Sequence, residues 1–280
     1  MPMHGLTYLA FALLTIFCWG VYGPILHEGQ EALGDGQRLS YWTPFICVGV
    51  AWFLIAVVYP LFMIPHERSE GRWSRRGMAW SFAAGALGAV GNLGLILAFV
   101  FGGAPVFIMP LVFGLSPVVN TVATMIMTRS ARRASLLFYL GILVVAIGAA
   151  GVMFFQPAPT GQPAGNSEAS LNETENNQGN QATDTVNPDV DANDTSGYFL
   201  WMVSCVMVTA LCWGSYGPVM HEGQMELGGG GMRPFLFVGL AYVLIAVVMP
   251  LVLQQFLPAD PGVLNFNGVT WSLVAGIANA

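Results

Sequence analysis

The chain has 280 residues, of which 55% are apolar and only 9% charged. A soluble domain carries about 25% charged residues, so this composition excludes a water-exposed globular surface. All nine basic residues are Arg, and the formal charge of −6 comes mainly from residues 156–197, which hold seven acidic residues and no basic one; the remainder is nearly neutral and implies neither nucleic acid nor any other strongly charged partner.

A membrane-spanning helix needs about 20 mostly apolar residues. Such runs occur near residues 6–26, 41–64, 78–100, 105–128 and 135–155, then at 198–220 and 234–257, with an eighth starting near residue 269. The first resembles a signal peptide in position only: it has no cationic start, and Trp19, Tyr22 and Pro24 stand where a small-residue cleavage site is expected. It is therefore read as a span. Arg68, Arg72, Arg75 and Arg76 lie between the second and third spans, and Arg129, Arg132 and Arg133 between the fourth and fifth. Arg-rich loops stay cytoplasmic, which predicts a cytoplasmic N-terminus and an exoplasmic acidic linker at 156–197.

That linker is rich in Asn, Gln and Pro and has no aromatic residue before Tyr198, so it lacks the apolar surface to fold and is expected to be disordered. Asn172 and Asn193 begin glycosylation-acceptor triplets, which chance explains in so Asn/Thr-rich a tract. Cys18, Cys47, Cys205 and Cys212 all sit in apolar runs without metal-ligand spacing and read as small buried hydrophobes.

The most informative feature is internal. Cys18-Trp-Gly-Val-Tyr-Gly-Pro-Ile-Leu-His-Glu-Gly-Gln30 recurs 194 positions later as Cys212-Trp-Gly-Ser-Tyr-Gly-Pro-Val-Met-His-Glu-Gly-Gln224. Pro44-Phe45 and Leu54-Ile-Ala-Val-Val58 recur as Pro234-Phe235 and Leu244-Ile-Ala-Val-Val248, and Gly77 with Trp80-Ser81 as Gly268 with Trp271-Ser272. Five spans separate the copies, and an odd number turns the second upside down relative to the first, an arrangement of secondary transporters. The expected fold is thus an all-α membrane protein, a bundle of two inverted five-helix repeats: residues 1–155, the linker 156–197, and an incomplete second repeat at 198–280. By this alignment about 66 residues answering those up to Phe155 are missing, so the chain is expected to be a fragment of a ten-span protein.

Two five-helix halves, each opening on a helix with a Trp-Gly step (Trp19-Gly20 and Trp213-Gly214), resemble the drug/metabolite transporter superfamily, in particular its EamA-type and rhamnose/glucose-porter branches. The resemblance implies an alternating-access carrier of small organic solutes with a central cavity between the halves. The His-Glu-Gly-Gln extension has no assigned place in that pattern.

Within the motif, a helix continuing past Pro24 leaves the Gly20 carbonyl without its usual donor, and Pro218 does the same to Gly214. Freed backbone in lipid must be covered by protein or water, so both copies are expected to face inward. On a helical wheel Trp19 and Gln30 share one face, with Tyr22 beside them, while Gly20, Pro24 and Glu28 share another, with His27 between. This suggests a substrate platform of Trp19, Tyr22 and Gln30, repeated as Trp213, Tyr216 and Gln224, and a gate or proton-coupling pair of His27 and Glu28, repeated as His221 and Glu222. The bland alternative is a helix end at the membrane edge, where such residues are ordinary. An H-E-x-x-H zinc site is excluded because Glu31 and Met225 stand where the second His belongs.

Gly85, Gly88, Gly91 and Gly94 mark close helix packing in the third span, and Asn92 and Asn120 are candidates to line the cavity or to bond between helices. No Arg lies in the body of a span, which disfavours strong anions. Trp, Tyr, Gln, Asn and His suit a sugar or other neutral polar solute; the aromatics with Glu also suit an organic cation. No cofactor, metal or nucleophile–base set is visible, so an enzyme is not expected. The competing reading is a non-transporting sensor or scaffold acting through its linker.

Overall fold

The computed structural model describes residues 2–66, 71–129, 135–155, 192–257 and 260–280. The acidic linker up to residue 191, with the Asn172 triplet, and Arg68, Arg132 and Arg133 lie outside the described residues. Every regular element among the described residues is helical. They are α1 (Pro2–Leu33), α2 (Trp42–His66), α3 (Arg75–Val100), α4 (Pro105–Met127), α5 (Leu136–Phe154), α6 (Ala192–Glu226), α7 (Met232–Leu253) and α8 (Phe266–Asn279). Six of them (α1, α2, α3, α4, α6 and α7) are long and apolar enough to cross a membrane. In lipid, helices are the open-chain solution because they satisfy their backbone groups within the segment. Ser74, Ser135 and Asn265 start α3, α5 and α8 by accepting the amide N–H three residues on.

Two sequence expectations change. The helix α6 begins at Ala192, inside the tail of the acidic segment, so the Asn193 triplet is helical. The hydrogen-bond gaps expected at Gly20-Pro24 and Gly214-Pro218 do not interrupt the helices: α1 and α6 run through Pro24 and Pro218. A proline removes one ladder bond, and the bonds of the neighbouring turns are enough to carry the helix past it.

A second pair of prolines does alter the backbone. Within α2, residues Leu54–Val58 form a π turn in which the Tyr59 N–H donates to Leu54 O, five residues back; within α7, Val243–Val248 do the same, with the Met249 N–H on Leu244 O. Pro60 and Pro250 follow directly, and their rings exclude the normal bond to the carbonyls of Ala56 and Ala246. The repeated Leu-Ile-Ala-Val-Val sequence thus carries a repeated distortion.

The packing is paired in the same way. A Cβ placed on Gly49 would lie 2.9 Å from that of Ala246, and one on Gly239 would lie 2.8 Å from that of Ala56. One on Gly29 would meet the Ser272 amide nitrogen at 3.0 Å, and one on Gly223 the Ser81 nitrogen at 3.0 Å. Gly85 faces Val238 and Ala241, while Gly276 faces Val48 and Ala51. The Arg72 N–H donates to Leu227 O at 3.1 Å, and the Val263 N–H to Leu33 O at 2.8 Å. Each contact becomes its mate when the two copies of the repeat are exchanged. Two further contacts give direction. Gln30 Nε2 donates to Ile96 O at 3.2 Å, which sets the C-terminal end of α1 beside that of α3. Leu227 lies against Gly77, which sets the C-terminal end of α6 beside the start of α3. Consequently α1 and α6 point in opposite directions along α3.

The small residues predicted to pack do so: Gly85 and Gly88 face α7, and Gly91 and Gly94 face α6. The helix α4 covers α6, and α5 packs on α4 at the edge of the bundle.

The loop before α8 is fastened to the start of α2. The Asp260 carboxylate accepts from the Ser40 and Thr43 hydroxyls at 2.8 and 3.0 Å and from the Tyr41 and Thr43 backbone N–H groups at 3.1 and 2.9 Å. It caps α2 from 217 residues away in sequence. Asp260→Ala strands four donors and is expected to destabilise the protein by about 1–3 kcal/mol, read as a lower unfolding temperature of the purified protein in detergent. Asp260→Asn, which keeps an acceptor oxygen, should lose less.

Candidate functional site

The paired packing leaves a partly open cavity of about 370 Å³ whose lining includes Trp19, Trp52, Trp213, Tyr216, Tyr242 and Asn279. These residues lie in the interiors of α1, α2, α6 and α7 and at the end of α8, so the cavity sits midway along the long helices. None of its lining residues is charged. Its aromatic walls come from equivalent positions of the two copies. Trp19 and Trp213 occupy the same place in the repeated motif and their ring centroids are 6.0 Å apart; Phe113 of α4 lies 6.0 and 6.1 Å from the two. Trp52 and Tyr242 also correspond, on the alignment that pairs Pro44 with Pro234, and they stack at 4.0 Å with planes 6° apart. Aromatic pairs stabilise by about 0.5–1.5 kcal/mol beyond the area they bury.

Behind the rings runs a buried polar chain. The Tyr22 hydroxyl donates to Asn92 Oδ1 at 3.0 Å, and Asn92 Nδ2 donates to the Tyr242 hydroxyl at 3.1 Å and to Asn279 Oδ1 at 2.9 Å. Asn279 Oδ1 also accepts from Trp52 Nε1 at 3.1 Å. Trp213 Nε1 donates to Gly88 O at 3.3 Å. Tyr22 and Asn92 are fully buried, and burying their polar atoms is tolerable because each finds a partner.

The residues expected from sequence divide between the cavity and other places. Trp19, Trp213 and Tyr216 line the cavity; Tyr22 and Asn92 form the layer behind it. Gln30 does not face it: fully buried, it donates to Ser40 O at 3.0 Å and to Ile96 O, fastening the end of α1. Gln224 is half-buried near the end of α6, outside the lining. Asn120 stands on α4 against Gly217 and within 3.4 Å of Thr124 Oγ1, at a helix seam. His27 pairs with Glu31, one turn on, at 3.2 Å and packs on Phe99; Glu28 beside it is exposed. His221 is exposed and Glu222 half-buried, and none of these four expected gate residues lines the cavity. Against the expectation that both copies face inward, Gly20 and Pro24 are exposed, whereas Pro218 is buried and Gly214 is pressed against Ser116 and Val119 of α4.

Of the cysteines, Cys47 is buried as expected, but Cys18, Cys205 and Cys212 are half-buried, and Cys18 lines the cavity. Sequence reasoning missed Trp52, Tyr242 and Asn279. The first two had a signal, since both are aromatic at aligned positions between two matched segments. Asn279 had none, because its counterpart in the other copy is Gly88. No protein-family model matches the chain, and no curated protein matches it significantly; the reading of function therefore rests on the cavity and on the pairing around it.

Proposed function

We propose that the chain is a secondary carrier of the drug/metabolite transporter type, built from two inverted repeats, which moves a small uncharged polar solute through the central cavity by alternating access. One observation carries the reading: an uncharged, aromatic-walled cavity lies at mid-span where equivalent residues of the two copies meet, the place at which inverted-repeat carriers hold their solute. The opposite directions of α1 and α6 and the exchangeable contacts support the inversion. Arg72, Arg75 and Arg76 support a cytoplasmic end for the loop before α3, and hence a cytoplasmic N-terminus. A scaffold acting through its linker would have no use for such a cavity.

The test is solute uptake into proteoliposomes containing the full chain. Trp213→Ala removes a ring shared by three aromatic contacts and should lower uptake by at least about tenfold, or ~1.4 kcal/mol. Removing residues 167–190, which lie ahead of α6, should leave uptake intact. The opposite pattern, flux lost with the linker and retained without the ring, favours the scaffold.

Proton coupling is assigned on this reading to His27 with Glu31 rather than with Glu28, because Glu31 is the carboxylate in contact with the imidazole. Glu31→Gln is expected to flatten the pH dependence of uptake, and Glu28→Gln to leave it nearly unchanged. An unaltered pH profile in Glu31→Gln contradicts the assignment.

A further inference from the structure

The polar chain behind the cavity has a direction, and one residue sets it. An indole N–H can only donate, so the Asn279 atom facing Trp52 Nε1 must be the carbonyl oxygen. The Asn92 atom that meets that same oxygen at 2.9 Å must then be its amide nitrogen, which turns Asn92 Oδ1 to the Tyr22 hydroxyl and makes Tyr22 a donor. The other N–H of Asn92 Nδ2 meets the Tyr242 oxygen at 3.1 Å. No amide along the chain can be turned over alone without setting donor against donor or acceptor against acceptor.

The consequence lies in what is left over. Both oxygen lone pairs of Asn279 are engaged by Trp52 and Asn92, while its Nδ2 has no partner among the described residues and opens on the cavity. Tyr242, which receives a bond from Asn92, keeps its own O–H proton to give, and it too lines the cavity. No acidic side chain lies in the lining. The polar groups the chain fixes at the cavity are therefore donors.

We infer that the cavity selects uncharged solutes that present oxygen acceptors beside an apolar ring face, and that Trp52 is the positioning residue that determines this by orienting Asn279 through its indole N–H. The inference rests on the carrier reading above and deepens it. It also decides between the two solute classes that the aromatic composition alone leaves open. The rings by themselves would welcome a cation, but inward-pointing N–H and O–H dipoles oppose one.

The test uses two probes of the same seven-membered ring, N-methylcaprolactam, an uncharged acceptor, and N-methylazepanium, a cationic donor. Binding to the full chain in nanodiscs is followed by intrinsic tryptophan fluorescence. The wild-type protein should bind the lactam at least about tenfold more tightly, the worth of one satisfied hydrogen bond. Asn279→Asp replaces the donor by an anionic acceptor and should reverse the preference. Trp52→Phe keeps a ring but frees the amides to turn, and should narrow the discrimination while the unfolding temperature stays near wild type, a change that loss of packing alone would not produce. Tighter binding of the ammonium by the wild type, binding of neither probe, or a preference unchanged in both variants overturns the inference. It fails separately from the carrier reading: a protein that moves solute yet prefers the ammonium remains a carrier, and one that prefers the lactam but opens to only one side of the membrane is not.

Discussion

Gly85→Leu is expected to prevent accumulation of folded protein, with Gly276→Leu as damaging and Gly141→Leu nearly silent. A Cβ at Gly85 would lie 2.6 Å from the Val238 Cα and 2.8 Å from the Ala241 Cβ, and one at Gly276 would lie 2.9 Å from the Val48 Cα and 2.7 Å from the Ala51 Cβ. Each obstacle includes backbone, which no rotamer change can clear, so α3 must part from α7, or α8 from α2. Overpacking costs about 1–3 kcal/mol when side chains can adjust; two helices held apart along their length lose more, because association in lipid depends on close van der Waals packing. Gly141, on α5, has nothing within 4 Å and accepts a larger side chain. The check is the yield and unfolding temperature of monodisperse protein after detergent extraction. Equal behaviour of Gly85 and Gly276 matters most, since a chance pair of contacts gives no reason for it.

Asn92→Leu should be the most damaging single change in the polar layer. Asn92 is the hub between Tyr22, Tyr242 and Asn279, so one substitution leaves a buried hydroxyl without an acceptor and a carbonyl short of a donor. An unsatisfied buried group costs about 1–3 kcal/mol, and the loss of two or more places the expected effect near the upper end of that range. Tyr22→Phe removes one arm only and should cost less. Pairing Asn92→Leu with Tyr22→Phe should recover part of the stability, because the double variant no longer buries a stranded hydroxyl. A double-mutant cycle read from unfolding in detergent checks this; strict additivity would show that the two side chains do not act through one bond.

Much of this arrangement was legible in the sequence, for identifiable reasons. The spans follow from runs of apolar residues set against the thickness of a bilayer, a strong and local signal. The Trp-Gly motif pointed to Trp19, Trp213 and Tyr216 because a repeated aromatic stands out in either copy. Gln30 was misplaced because a helical wheel gives the face of a residue but not its depth: it turns to the backbone of α3. Asn279 was invisible because its importance comes from a contact with Trp52 across 227 residues, which no local pattern encodes. The π turns were equally hidden, although their cause, a proline two residues after each Leu-Ile-Ala-Val-Val copy, is plain in the sequence once the ladder is seen to shift.

The central claim, that the cavity opens in turn to the two sides of a membrane, can be tested with a native side chain. Replacing Cys47, Cys205 and Cys212 by Ser leaves Cys18, on the cavity wall, as the single thiol. A membrane-impermeant maleimide is then added to one face or the other of sealed vesicles, and labelling is followed by mass shift. The account predicts that Cys18 is modified from either face in separate experiments and that a bound solute slows both reactions. Labelling from one face only, with or without solute, would contradict alternating access and leave the cavity a one-sided pocket.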